Sequence, residues 1–276
     1  MPGVGAPVAI HGAVLTDARA TTGSEGDTAA QRNVLPPAPA SQRGAASSPG
    51  PPPGPGTQED TRLWAVAELK LSGNALRGTL PPHAFRSNEL GRRLVRLDIS
   101  HNSLEGPLPP RLLANLPALE VLFASYNRLT GPVPDPGLAP EPAAPSAPPA
   151  SRLRLLSLSH NLLTGPIPPA FGDCGALEML QLDHNELCGA VPEEMFERRN
   201  SRRRLCEALV WLRLENNRLG GAVPPSLHGC HQLKELMLSD NSFKFDVPEG
   251  TAEEDGRTKV LASLRHALPG CHVELL

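Results

Sequence analysis

The stretch that decides the fold is residues 153–171, "LRLLSLSHNLLTGPIPPAF". Leu156 and Leu158 are two residues apart, the spacing of side chains on one face of a β-strand. Asn161 then marks the end of the strand, and a "GPIP" run turns the chain through a tight and then extended segment. One such short strand cannot bury its apolar face alone. The fold therefore depends on whether the phrase is repeated.

The phrase recurs in register seven times between residues 66 and 248. Each copy carries leucines or other apolar residues and then an Asn. We number the residues within each copy so that this Asn is position nine. Successive marker residues are separated by 24 to 34 residues, with a base interval of 24 and insertions after the third and fifth copies. The markers are Asn74, Asn102, Asn127, Asn161, Asn185, Asn217 and Asn241.

This pattern resembles the leucine-rich repeat family, in its plant-type subclass LxxLxLxxNxLxGxIPxxLxxL. The resemblance implies an α/β repeat fold, a solenoid with a curved parallel β-sheet and short 3-10 or extended convex segments. The repeated Asn is expected to bond backbone groups of adjacent coils, a structural role. The copies depart from the family pattern at Ala124, which replaces a core Leu or Ile, and at Phe245, which replaces the Gly.

Composition divides the chain into two regions. Residues 1–60 are dominated by Ala, Gly, Pro, Ser and Thr without apolar periodicity, so a disordered arm is predicted there. Residues 61–276 form the predicted repeat domain, with Leu63 and Trp64 covering its first coil. Because "TKVLASLRHAL" has apolar residues at helical spacing and Gly follows it, a helix and strand at about 257–276 are predicted to cap the last coil.

The x positions of the strands should line the concave face and carry whatever is particular to this chain. Positions three and five place an apolar strip between charged ends, and exposed aromatic and Met side chains in such a setting are typical of binding surfaces. A protein partner is predicted here, unless the insertion or the Pro-rich arm covers the strip. The predicted contact residues are Val121, Phe123, Tyr126, Leu155, Met179, Trp211 and Arg213.

Several function classes lose support. The formal net charge is -3, so nothing in the overall charge indicates nucleic acid. No apolar stretch reaches the roughly 18 residues of a membrane span. The sequence contains no Walker loop, GxSxG, HExxH or kinase signature. We therefore expect a monomeric interaction module without catalytic residues or cofactors.

The eighth position carries His101, Tyr126, His160 and His184 in four successive copies. The last two histidines belong to adjacent strands and could share a metal ion. The next copy offers Asn216, so neither a third His nor a carboxylate is expected to converge on the pair. The sequence therefore predicts no metal site.

The cysteines favour a reducing compartment. There are 5, an odd number, and none forms a CxxC pair. Cys174 and Cys230 occupy one equivalent position, where a small buried apolar residue is needed. An intracellular location is predicted. The alternative is a secreted or cell-surface recognition protein, resembling plant receptor ectodomains or polygalacturonase inhibitors, or part of a larger receptor-like protein.

An Arg-rich insertion, "ERRNSRRR" at 197–204, lies between the fifth and sixth copies. Its "RRNS" sequence resembles a basophilic kinase site, which makes Ser201 a candidate phosphorylation site. The insertion could also bind an acidic partner or RNA, although no aromatic residues are interleaved in it for stacking. A solvated charged loop is the interpretation that we favour.

Overall fold

Two parallel β-sheets form the repeat region of the computed structural model, which describes residues 8–10, 13–15, 67–81, 85, 89–138, 152–197, 205–245 and 253–275. We call the sheet of 8 strands the main sheet, and each strand in it pairs in parallel with the next along the chain. Its strands are Glu68–Lys70, Arg96–Asp98, Val121–Phe123, Leu155–Ser157, Met179–Gln181, Trp211–Arg213, Glu235–Met237 and His272–Glu274.

The second sheet has 7 strands and runs alongside the same coils in the same order. Its strands are Arg77–Thr79, Ser103–Pro107, Arg128–Gly131, Leu162–Gly165, Glu186–Ala190, Arg218–Gly221 and Ser242–Phe243. Together the two sheets confirm the predicted parallel-sheet solenoid. Within the predicted N-terminal arm, Val8–Ile10 and Ala13–Leu15 pair antiparallel. Leu63 and Trp64 lie outside the described residues.

Short helical segments complete the coils. The 3-10 helices, as expected for a Pro-rich repeat, are Pro169–Asp173, Glu193–Met195 and Pro225–Gly229. The α-helices are Glu89–Arg93, Leu112–Asn115, Leu205–Ala208 and Glu253–Ala267. None of these described helices is long and apolar enough to cross a membrane.

The core is one continuous apolar cluster built from the same positions of successive copies. In the opening stretch Leu156, Leu158 and Leu163 are each 0% exposed, and Phe171 is also fully buried. Leu156 and Leu158 point to the same side of a strand, and Leu163 joins them from the second sheet. Parallel coils thus bury jointly what one coil would expose.

The ninth-position Asn residues connect the coils. Asn161 Nδ2 donates to the carbonyl oxygen of Ala124 at 3.1 Å, in the preceding coil, and to that of Leu158 at 3.0 Å, in its own coil. Its Oδ1 accepts from the amide of Leu129 at 3.0 Å, again in the preceding coil. One buried amide therefore satisfies backbone groups of two coils. Equivalent cross-coil bonds are made by Asn102, Asn127, Asn185, Asn217 and Asn241.

The Gly four residues after the Asn is required by the backbone. Gly106 has a φ of +75°, and a Cβ there would lie 2.8 Å from Cγ2 of Thr79 in the preceding coil. The seventh copy carries Phe245 instead, and its backbone does not adopt a positive φ. The second sheet accordingly ends with Ser242–Phe243 in the described part of the chain.

The main sheet continues one strand beyond the seventh copy. His272–Glu274 pairs in parallel with Glu235–Met237. The helix Glu253–Ala267 precedes it, begins four residues before the predicted cap, and buries Leu264 at 1% exposure. Its neighbour Leu268 is 2% exposed. The apolar spacing that predicted the helix thus faces the core.

A disulfide joins Cys206, on the short helix Leu205–Ala208, to Cys230 at the end of the 3-10 helix Pro225–Gly229. The expectation that Cys230 is a simple buried thiol is therefore wrong, because Cys206 approaches it from the insertion after the fifth copy. Cys174 does remain a buried thiol, and burial raises its pKa to about 12.

We expect Asn161→Ala to destabilise the domain, because it leaves the buried Leu129 amide unpaired and removes one of the two amide donors to the Ala124 carbonyl. An orphaned buried amide costs about 1–3 kcal/mol. Urea unfolding followed by circular dichroism measures the loss. Asn74→Ala is the matched control, since the Asn74 amide donates only within its own exposed coil. Equal losses in the two variants would contradict the role of the cross-coil bonds.

Candidate functional site

An apolar column crosses the open face of the main sheet, the face opposite the core. The sheet register aligns Val121 with Leu155, Leu155 with Met179 and Met179 with Trp211. All four side chains are half-buried, whereas the residue that follows each of them in its strand is buried. We call these four residues the apolar column. The structure brings them together as the sequence predicted.

Charged residues continue the same line at both ends of the apolar column. Arg96 is aligned with Val121 at one end, and Glu235 is aligned with Trp211 at the other. Glu235 is already neutralised, because its Oε1 lies 2.6 Å from Nη2 of Arg213. Arg213 thus belongs to an ion pair beside the column rather than presenting a free charge.

Phe123, two residues after Val121, is not followed by further apolar residues. The guanidinium of Arg96 lies over its ring, 5.2 Å from the centroid. Ser157 is aligned with Phe123 on the next strand and is only 7% exposed. The Ser157 hydroxyl donates to Oε1 of Gln181 at 2.8 Å. A polar network therefore separates Phe123 from the far end of the face.

Tyr126 belongs to a different feature, a stack of four rings at the eighth position, which we call the ring column. Ring centroids are 4.5 Å apart between His101 and Tyr126, 4.2 Å between Tyr126 and His160, and 4.0 Å between His160 and His184. All four residues have φ between 52° and 57°. Tyr126 is 48% exposed, although both faces of its ring are stacked.

Asp183 supplies the carboxylate that the sequence interpretation did not expect beside the histidines. Its Oδ2 lies 3.2 Å from Nδ1 of His184 and 4.0 Å from Nε2 of His160. Its Oδ1 accepts from the hydroxyl of Ser159 at 2.5 Å. The signal was present in the sequence, since Asp183 directly precedes His184 at a position that is usually Ser. The prediction considered only the eighth position.

Glu215 occupies the same seventh position on the next coil. Its pKa is raised to about 7, chiefly by burial and further by the negative charge of Asp183. Its Oε2 is buried and has no hydrogen-bond partner among the described residues. Two neighbouring coils therefore hold carboxylates where the other copies hold small polar residues. Ser201 lies outside the described residues.

Comparisons with known proteins agree with this geometry. The family model described as Leucine Rich Repeat matches residues 93–116, 152–174 and 208–230. A search of the curated proteins found no matching sequence. Among solved structures, a TDR receptor is 31% identical, with a TM-score of 0.53 over 68% of this chain and 29% of its own.

A second solved structure is the ectodomain of the Arabidopsis receptor kinase HAESA in complex with an N-terminally extended IDA peptide hormone ligand. It is 28% identical, with a TM-score of 0.52 over 66% of this chain and 27% of its own. The chain thus spans less than a third of either protein. The repeated Asn bonds, the two parallel sheets and these matches agree, and the chain belongs to the leucine-rich repeat family.

Proposed function

We propose that the chain is a non-catalytic recognition module that binds a segment of a protein or peptide partner across the open face of its main sheet. The observation that carries the proposal is the apolar column, in which Val121, Leu155, Met179 and Trp211 lie side by side and half-exposed. The scaffold needs no apolar residue at these positions, because the core is built from the alternate ones.

The energetics favour this face as a contact surface. Partner side chains that cover the column would remove its remaining apolar surface from water, at roughly 25 cal/mol per Å². Trp and Met side chains in an apolar patch bordered by charged residues are typical of interface hot spots. The HAESA ectodomain, which has a related fold, is held in complex with a peptide ligand.

The charged residues at the two ends of the apolar column indicate where a charged group of the partner would bind. Arg213 is paired with Glu235, whereas the only ion pair of Arg96 among the described residues is a long contact of 4.0 Å with Asp98, and its guanidinium otherwise lies over the Phe123 ring. The Arg96 Nε is buried without a hydrogen-bond partner among the described residues. An acidic group of the partner would therefore bind at the Arg96 end of the apolar column.

The compartment proposed is extracellular or cell-surface. The intracellular prediction was based on an odd number of cysteines without a CxxC pair, and the Cys206–Cys230 disulfide removes that support. Structural disulfides persist in oxidising compartments and are rare in the cytosol. The related fold of a receptor ectodomain supports the same alternative.

Met179→Ala combined with Trp211→Ala should abolish partner binding without unfolding the domain, because both side chains are half-exposed. Loss of two large apolar contacts of this kind costs about 2 kcal/mol or more, which corresponds to at least a 30-fold loss of affinity. The tagged chain is expressed in its native cells, and partners recovered by each variant are quantified by mass spectrometry.

The matched control for this experiment is Leu162→Ala, which removes an exposed leucine from the second sheet. A partner of the open face is retained by this control and lost by the double variant. If the double variant recovers every partner at the wild-type level, the open face is not the binding surface.

The compartment has a separate test. Protein taken from its native source is alkylated without reductant and digested. We expect peptides containing Cys206 and Cys230 to remain linked, while the exposed Cys188 is alkylated. If Cys206 and Cys230 are instead alkylated when protein from its native source is denatured without reductant, the protein comes from a reducing compartment.

A further inference from the structure

Two imidazoles and a carboxylate meet at the edge of the main sheet, beside the ring column. One nitrogen each of His160 and His184 and one oxygen of Asp183 all lie within 4.8 Å of one another. The two rings are half-exposed or exposed, whereas Asp183 is only 5% exposed. The cluster therefore has a fixed, buried acidic group and two surface side chains that can adjust to a ligand.

Ser159 orients the carboxylate of Asp183. The Ser159 hydroxyl donates to Oδ1 at 2.5 Å, so that oxygen is already used within the protein. The other oxygen, Oδ2, faces both imidazoles, at 3.2 Å from His184 and 4.0 Å from His160. A hydrogen bond to the second oxygen of a ligating carboxylate is the usual support for a metal ligand.

The coincidence of residue types at this place distinguishes it from the other coils. The seventh position is Ser in five copies and acidic only in Asp183 and Glu215. His160 and His184 are the only two histidines that occupy the eighth position in successive copies. The third eighth-position histidine, His101, is separated from them by Tyr126. The acidic residues and the histidine pair thus coincide, although the fold requires neither.

The charges favour a bound cation at the same place. Asp183 and Glu215 lie on neighbouring coils, and each is partly or fully buried. Arg213 and His184 both act electrostatically on Glu215, and Arg213 is already paired with Glu235. Neighbouring carboxylates in a buried setting are unfavourable when both are ionised, and a divalent ion would stabilise the ionised form.

We propose that His160, Asp183 and His184 bind a divalent transition-metal ion of the Zn²⁺ type, an assignment that is independent of partner binding at the apolar column. Two imidazoles and a carboxylate are a ligand set that suits Zn²⁺, Ni²⁺ and Cu²⁺ rather than Ca²⁺ or Mg²⁺. Because three protein ligands leave a coordination position of zinc open, the ion would also present a site to solvent or to a further ligand.

Only small side-chain movements are needed. Bonds of about 2.0–2.1 Å at a tetrahedral angle place ligand atoms about 3.3 Å apart. The present separations of at most 4.8 Å close to that value if the two imidazoles turn about their side-chain bonds. Turning replaces part of the stacking between His160 and His184, which are 4.0 Å apart, by coordination.

The test is isothermal titration of the chelator-stripped full chain with ZnCl₂, and separately with NiCl₂. The variants are Asp183→Ser and His184→Asn, which introduce residues that other copies carry at the same positions, as in Ser159 and Asn216. His101→Asn is the matched control, since it removes a histidine of the ring column outside the cluster. Thermal unfolding in chelator checks that all variants are folded.

Wild type and His101→Asn should bind one equivalent of Zn²⁺ with affinities within about twofold, and the ion should raise the unfolding temperature of both. Asp183→Ser and His184→Asn should each bind at least tenfold more weakly, as expected for loss of a ligand. The proposal is overturned if the wild type binds no stoichiometric ion. It is equally overturned if the cluster variants bind as tightly as the wild type, because the ion then lies elsewhere.

Discussion

The solenoid depends on buried amide side chains that satisfy the backbone of the coil beside them. Parallel strands of three residues leave polar backbone groups where each strand turns away, and a buried unpaired group costs about 1–3 kcal/mol. The Asn161 amide reaches Ala124 and Leu129 in the preceding coil, and this contact recurs through Asn241. Behind this row of amides, the leucines of neighbouring coils form one continuous buried cluster.

Because the core and the Asn amides stabilise the fold, the residues on the open face of the main sheet are free to vary. The alternate strand positions build the core, so the residues between them can be chosen for recognition. At one place they form the apolar column from Val121 to Trp211. At another they form a polar network around Ser157 and Gln181. The ring column and the carboxylate of Asp183 lie just beyond the strands, where the chain begins to turn.

The repeat made the fold and the apolar column predictable, because both follow from the register of the copies. Contacts between a residue of the repeat and a residue outside the repeat pattern were not predictable in the same way. Cys230 is in register, but its partner Cys206 lies in an insertion whose path the repeat does not define. Ser157 alternates outward as expected, yet hydrogen bonds between coils bury it. Asp183 was overlooked because its carboxylate reaches an imidazole at the next position along the chain.

The left-handed backbone at the eighth position restricts which side chains this edge of the sheet can carry. Glycine, Asn, Asp and His tolerate that conformation best, and the seven copies use all four, with Tyr126 the one departure. Asn, Asp and His are also hydrogen-bonding groups or metal ligands. The steric requirement of the turn thus favours residue types that can also bind ligands. A row of such residues at the spacing of the strands can therefore form for structural reasons alone, without selection for a ligand. New binding chemistry at this edge would then need changes only in the neighbouring seventh position, as Asp183 illustrates.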